Sequence, residues 1–181
     1  MQKFSTLKQT CKTFLKKEND LEDIVVFGSM ARKKTKPNDI DIALIFRDKV
    51  NKNLKQIISK KIKNSHVIEL TLKNISKQTL WKTLLHEGIS IKYNKKISVL
   101  FGFKTKILLW YSLEKINKSQ KVRFSYALKG RDGKSGLLKK YKGKHLGKGS
   151  IMIPIEGDDE FREFFINWKV PFNRRRILVE E

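Results

Sequence analysis

Gly28-Ser29-Met30-Ala31-Arg32 follows directly on the apolar run Ile24-Val25-Val26-Phe27, and ten residues later comes Asn38-Asp39-Ile40-Asp41-Ile42. The apolar run meeting glycine-serine reads as a buried strand entering a turn. Asp39 to Phe46 reads as a second strand. Residues two apart in a strand project to one side, with Cα atoms about 6.5 to 7 Å apart, so Asp39 and Asp41 point together. Two carboxylates on one face repel each other, and a fold tolerates that at low cost only where a cation sits between them or water reaches both. Their hard oxygens suit Mg²⁺ or Mn²⁺, ions that also bind triphosphate oxygens.

The turn supplies a complementary half. A strand that stops at Gly28 and a helix that starts at Ser29 present free backbone N–H groups and a positive dipole end to a phosphate. Glycine allows close backbone approach, the Ser29 hydroxyl adds a donor, and Arg32 one turn on can clamp a phosphate oxygen. Val67 to Leu72 reads as a third strand in which Glu69 shares a face with Val67 and Thr71. If that strand neighbours the aspartate strand, three carboxylates converge.

Around this nucleus, Phe4, Leu7, Cys11, Phe14 and Leu15 recur at helical spacing, and the opening helix is expected to end near Asn19-Asp20. Leu54, Ile57, Ile58 and Ile62 mark another helix. Ser76 is placed to N-cap a helix through Leu80, Leu84 and Leu85 that stops at Gly88, and Ile89 to Tyr93 adds a further strand. The order predicts an α+β fold, a small mixed sheet with helices packed on it, over residues 1–101. Residues 102–181 have a different texture and are expected to form a small basic α+β domain, with the apolar segment Ser98 to Phe103 as a rigid joint or a hinge. There Ile107 to Ile116 looks helical, Val122 to Leu128 suits helix or strand, and glycines punctuate 129–149 too often for one long element. Ile151 to Ile155 reads as a strand, Asp158 to Trp168 as a helix with Phe161, Phe164 and Phe165 inward, and Arg176 to Val179 as a closing strand. No internal repeat is evident.

The formal net charge is +23, with 41 Lys and Arg against 18 acids, a field that attracts polyanions such as nucleic acid. The excess of lysine, 33 against 8 arginines, also fits compositional drift. Clustering favours a binding surface: Lys104 to Lys148 holds 14 basic residues against two acids, a net of +12, whereas Gly149 to Glu181 nets −2. Lys121, Arg123, Lys129, Arg131, Lys139, Lys140, Lys142 and Lys144 are candidates to track phosphates. Trp110-Tyr111, beside Lys104 and Lys106, could be core or stacking platform; Trp81 and Trp168 read as core. Lys33, Lys34 and Lys36 could touch triphosphate or acceptor or simply be solvated. His66, His86 and His145 read as surface or half-buried residues. Cys11 is the only cysteine, so an internal disulfide is excluded, and a structural zinc site is not expected. No apolar run of membrane-spanning length or N-terminal signal pattern is present, which leads to an expected cytoplasmic setting with no membrane partner.

The segment Gly28 to Ile42 resembles the signature of the DNA polymerase beta-like nucleotidyltransferases, close to the minimal archaeal and bacterial members, and Glu87-Gly88-Ile89 after a leucine-rich helix is similar to them too. The resemblance covers about residues 20 to 93. It implies that Asp39 and Asp41 bind two metal ions, that Glu69 completes the triad and helps activate an acceptor hydroxyl, and that Gly28 and Ser29 hold a nucleoside triphosphate. The reaction implied is in-line attack of a hydroxyl on the α-phosphate with loss of pyrophosphate. Lys33 stands where the family usually has glycine, Asn38 where it has serine, and Glu69 where many members have aspartate. The acceptor expected from the basic second half is RNA. Transfer to a protein hydroxyl, as in small antitoxins of the superfamily, and a non-catalytic RNA- or ribosome-binding role are the alternatives. Base preference and oligomeric state are not encoded legibly.

Overall fold

In the computed structural model the described residues are 4–32, 39–131 and 135–180. Lys33, Lys34, Lys36 and Asn38 lie outside them. The chain divides into two compact units, Met1–Phe103 and Lys104–Glu181.

The first unit runs α1 (Phe4–Lys17), β1 (Leu21–Phe27), α2 (Gly28–Ala31), β2 (Ile40–Phe46), α3 (Lys52–Lys61), β3 (Ser65–Thr71), α4 (Leu80–Glu87), β4 (Ile89–Ser90), β5 (Lys95–Lys96) and α5 (Ile97–Leu100). Its sheet has the order β3-β2-β1-β4-β5. The β2–β3 pair is parallel and the other pairs are antiparallel. Both faces are covered, which is why β1 and β2 read as nearly unbroken apolar runs. On one face Ile24, Val26, Ile42, Leu44, Phe46 and Val67 pack with Leu7 and Cys11 of α1 and Leu54 and Ile58 of α3. On the other, Val25, Phe27, Ala43, Ile45 and Leu70 pack with Leu84 of α4 and Ile97 of α5. Strict alternation along β2 therefore assigns its odd-numbered positions, including 41, to the α4 face.

The caps follow local chemistry in part. Asn51 opens α3, its side chain accepting from the N–H groups of Asn53 and Leu54. Gly88 ends α4, its N–H donating to the Leu84 carbonyl at 2.8 Å. Ser76 is not an α-helical cap: Ile75–Lys77 form a 3₁₀ turn, and α4 starts only at Leu80. The sequence Gln78-Thr79 interposes an extended residue at Gln78, which separates the two pieces.

The second unit runs β6 (Phe103–Tyr111), α6 (Lys118–Lys129), α7 (Leu137–Lys140), β7 (Lys144–Gly147), β8 (Ser150–Pro154), α8 (Asp158–Asn167) and β9 (Phe172–Glu180), with sheet order β7-β8-β6-β9. Ile107, Leu109, Ile151 and Ile153 on one sheet face meet Phe124 and Leu128 of α6 and Phe161 and Phe165 of α8. Where a helix is expected over 107–116, residues 107–111 belong to strand β6 and 112–116 are loop and turn. Thr105, Ile107 and Leu109 are buried while Lys104 and Trp110 are exposed, a period of two. Apolar Leu108 and Trp110 on the opposite face masked that period in the sequence. Asn117 and Gln120 form a reciprocal capping box at the start of α6.

Candidate active site

Strand β1 delivers Phe27 opposite Asp41 of β2, so the chain must turn immediately beside that carboxylate. Gly28 takes φ +70°, and a Cβ there would overlap the Asp41 Oδ2 atom. Only glycine meets both demands. The next residue, Ser29, has a buried hydroxyl with no hydrogen-bond partner among the described residues. A buried hydroxyl left unsatisfied costs about 1–3 kcal/mol, which makes this atom a donor waiting for an acceptor.

Asp39, just before β2, is exposed, and Asp41 is partly shielded. Burial is the largest cause holding the Asp41 carboxyl above its ordinary range, followed by the charge of Asp39. Glu87 adds a smaller push upward, against the lowering contribution of His66. The pair is therefore electrostatically coupled, and a cation would relieve it.

Arg32 Nη1 donates to Glu87 Oε2 at 2.7 Å, and Glu87, at the end of α4, is only 5% exposed. The candidate phosphate clamp is thus anchored by a buried carboxylate from the helix that covers this face. The neighbouring Glu87 was quoted in the sequence only as part of a family likeness; its spacing after the apolar positions of α4 is what turns it towards Arg32.

The structure does not bring Glu69 to this place. In the parallel β2–β3 register, Asp41 lies beside His66 and Leu44 lies beside Glu69. Paired residues of neighbouring strands share a face, so Glu69 belongs with Leu44 on the α1–α3 side. Its Oε2 is 4.0 Å from Lys55 Nζ of α3. The expected three-carboxylate set is corrected to a pair, because the odd-even phase of β3 against β2 puts residue 66 where a third side chain would stand. His66 is that side chain, with Nδ1 3.5 Å from Asp41 Oδ1. It was read as an ordinary surface or half-buried histidine, and the register, invisible in one sequence, is what places it here.

Among the described residues, no group of three or more His, Cys, Asp or Glu side chains is arranged to hold a metal ion. The donor set fits one divalent ion that arrives with a triphosphate, since Mg²⁺ is commonly held by one or two carboxylates plus substrate phosphates rather than by an all-protein cage. Asp39 and Asp41 would be its protein ligands.

The basic candidates of the second unit do not form one surface. Lys121 and Lys129 of α6 line a cleft of about 460 Å³ with His145 and Lys148. Burial chiefly, and Lys129 in addition, hold the His145 imidazole below its ordinary range. Arg131 lies over the Tyr126 ring at 5.4 Å. Lys140 is paired with Glu160 at 2.7 Å, whereas Lys142 and Lys144 line a smaller cavity of about 220 Å³ with Lys104 and Lys106. Arg123 and Lys139 are exposed on α6 and α7.

The turn, the aspartate pair and the mixed sheet agree with a family match: the family described as polymerase beta, nucleotidyltransferase covers residues 9–97. The chain carries a polymerase beta-like nucleotidyltransferase domain over those residues, which makes it a nucleotidyltransferase by family and implies a nucleotide substrate. That family generally uses divalent metals. Two solved structures are similar to part of the chain. A protein of Sulfolobus solfataricus named only provisionally as a nucleotidyltransferase has 19% identity and a TM-score of 0.34, over 46% of this chain and 74% of that one. A toxin–antitoxin protein solved with AMP-PNP has 17% identity and a TM-score of 0.37, over 46% and 71% of the respective chains. No curated protein matches the chain. Among the described residues, no helix is long and apolar enough to cross a membrane.

Proposed function

We propose that this protein transfers a nucleoside monophosphate from a nucleoside triphosphate to a hydroxyl of RNA, in a cytoplasmic setting, with Asp39 and Asp41 holding Mg²⁺ or Mn²⁺. The observation that carries the reading is the contact of the Gly28 turn with Asp41, followed in the chain by the Ser29 hydroxyl, which is buried and has no partner among the described residues. A phosphate cradle and a cation-seeking carboxylate are thereby adjacent, as a metal-bound triphosphate requires. Gly28 admits the phosphate chain, Ser29 donates to it, and Arg32, oriented by Glu87, brings positive charge to it. The acceptor oxygen forms a bond to the α-phosphorus, the bond from that phosphorus to the bridging oxygen breaks, and pyrophosphate leaves while the hydroxyl proton passes to solvent. A divalent ion, when bound, supplies charge neutralisation on the phosphate oxygens and lowers the pKa of the attacking hydroxyl. In this reading residues 1–101 are the catalytic domain, and 102–181 form a basic domain whose lysines and arginines hold the RNA backbone.

Incubation with α-labelled nucleotides, Mg²⁺ and either total RNA or total cell protein tests the acceptor. Label in RNA that vanishes with Asp41→Asn is expected. Label confined to protein would replace RNA with a protein hydroxyl, and salt-sensitive RNA binding without any label would point to a non-catalytic role.

A further inference from the structure

The four-stranded sheet of the second unit is covered by helices on one face only in the residues that form its core, and the other face combines positive charge with an exposed aromatic ring. Along β6, Lys104, Lys106 and Trp110 share the side opposite the buried Thr105, Ile107 and Leu109. The register places Lys144 of β7 beside Met152 of β8, which in turn lies beside Leu108, so Lys144 joins the same face. From β9, the Arg175 guanidinium lies 5.9 Å from the centre of the Trp110 ring. Trp110 is 37% exposed. Lys104, Lys106, Lys142 and Lys144 edge one cavity, where Glu180 is the acid among the lining residues.

From this arrangement we infer that the open sheet face binds single-stranded RNA, with Trp110 and Arg175 as a stacking platform for a base and the lysines of β6 and β7 as contacts for the flanking phosphates. The inference rests on the reading of an RNA acceptor and gives it a place. A base can stack on an exposed ring only when it has left its own duplex stack, so this chemistry selects single strands over helices. Lysines spaced along adjacent strands follow a flexible backbone, whereas a duplex presents its phosphates on a rigid curved surface. The cleft between α6 and the sheet edge has lysines too, but its aromatic residues belong to the packed cluster: Tyr111 and Phe124 lie 5.5 Å apart, with Phe165 against both. Its rings are committed to the core, whereas the Trp110 ring of the sheet face is exposed.

Fluorescence anisotropy with the full chain and a labelled 12-nucleotide single-stranded RNA, its duplex, and the DNA of the same sequence tests the inference. Trp110→Ala should weaken binding of the single strand about tenfold, while Trp110→Phe keeps most of the affinity because it keeps a ring. Each of Lys104→Ala and Lys106→Ala should lower the salt slope by about 0.7. A control pair on the helix side, Lys121→Ala with Lys129→Ala, should cost less than Trp110→Ala. The inference is overturned if Trp110→Ala changes affinity less than twofold in a variant whose circular dichroism and melting match the parent. Tighter binding of the duplex, or of the DNA strand, overturns it as well. Asp41→Asn must bind the RNA strand as the parent does. Loss of label transfer with intact binding then marks a failure of the catalytic site, and loss of binding with label still reaching another acceptor marks a failure of the sheet face.

Discussion

The two sheets hold like charges in opposite ways. In the first unit Asp39 stands just before β2 and Asp41 within it, and burial first, then the charge of Asp39 and, less, of Glu87, hold the Asp41 carboxyl above its ordinary range. In the second, lysines and arginine are spread over three strands, Lys104 and Lys106 on β6, Lys144 on β7 and Arg175 on β9. The first arrangement costs free energy until a cation arrives. The second is solvated at little cost and acts only through the sum of its field. An acidic corner of this kind suits a cation, and a basic face spread over several strands suits a polyanion.

Breaking the acidic corner should give the largest effect. Asp41→Asn is expected to reduce nucleotide transfer by about a thousandfold or more, as loss of a charge that positions metal and phosphate does. The same variant should melt at a higher temperature at neutral pH. The folded state holds the Asp41 proton more firmly than the unfolded chain, so ionising this group costs stability as pH rises from the ordinary value of 3.8 through the raised one. Asparagine removes that cost. The gain in melting temperature should therefore be full at neutral pH, shrink as pH falls through the raised value, and be absent below 3.8; a variant that melts lower at neutral pH would contradict the strained-pair account.

A second effect follows from having a carboxylate pair rather than a triad. Mn²⁺ titrated by calorimetry should bind weakly to the protein alone and much more tightly with a non-hydrolysable triphosphate present, by about tenfold or more, since the phosphates complete the coordination. Equal affinity with and without nucleotide would show a complete protein cage. Smaller again is the effect of Glu87→Gln, which keeps the size of the anchor and removes its charge. The Arg32 guanidinium then loses a charge-assisted hydrogen bond of about 1.5–3 kcal/mol in its net worth, and KM for the triphosphate should rise several-fold with kcat changed less.

Much of this was legible in the sequence because it is local. The glycine turn after β1 and the aspartate at the start of β2 are read directly from neighbouring residues, with Asp39 falling just before the strand. The helices α1, α3 and α8 announced themselves by apolar spacing. What was hidden depends on pairing between segments. Whether Glu69 or His66 accompanies Asp41 is a question of register, and a shift by one residue exchanges the two faces of the whole strand. The strand β6 was hidden for a different reason: with one face in the core and Leu108 and Trp110 on the other, apolar residues fill consecutive positions and imitate a helix. Its true period emerges only from burial, in which Ile107 and Leu109 are fully enclosed. That same concealment obscured the basic face, because Lys104, Lys106 and Trp110 line up only once the segment is extended.

The smallest expected effect is the sharpest test of the register. Glu69 stands on the α1–α3 face, 13% exposed and 4.0 Å from Lys55, with one carboxylate oxygen buried and unpartnered among the described residues. Glu69→Gln preserves its volume and removes its charge on a face that holds neither Asp39 nor Asp41. Transfer activity should change less than threefold, and the melting temperature should rise or stay level, because the variant no longer buries part of a charge with a distant, mostly solvated lysine for a partner. Were Glu69 to project beside Asp41, the same substitution would instead remove a metal ligand, with a loss of transfer comparable to that of Asp41→Asn. Measuring both variants side by side thus reads out the phase of β3 against β2 by chemistry alone.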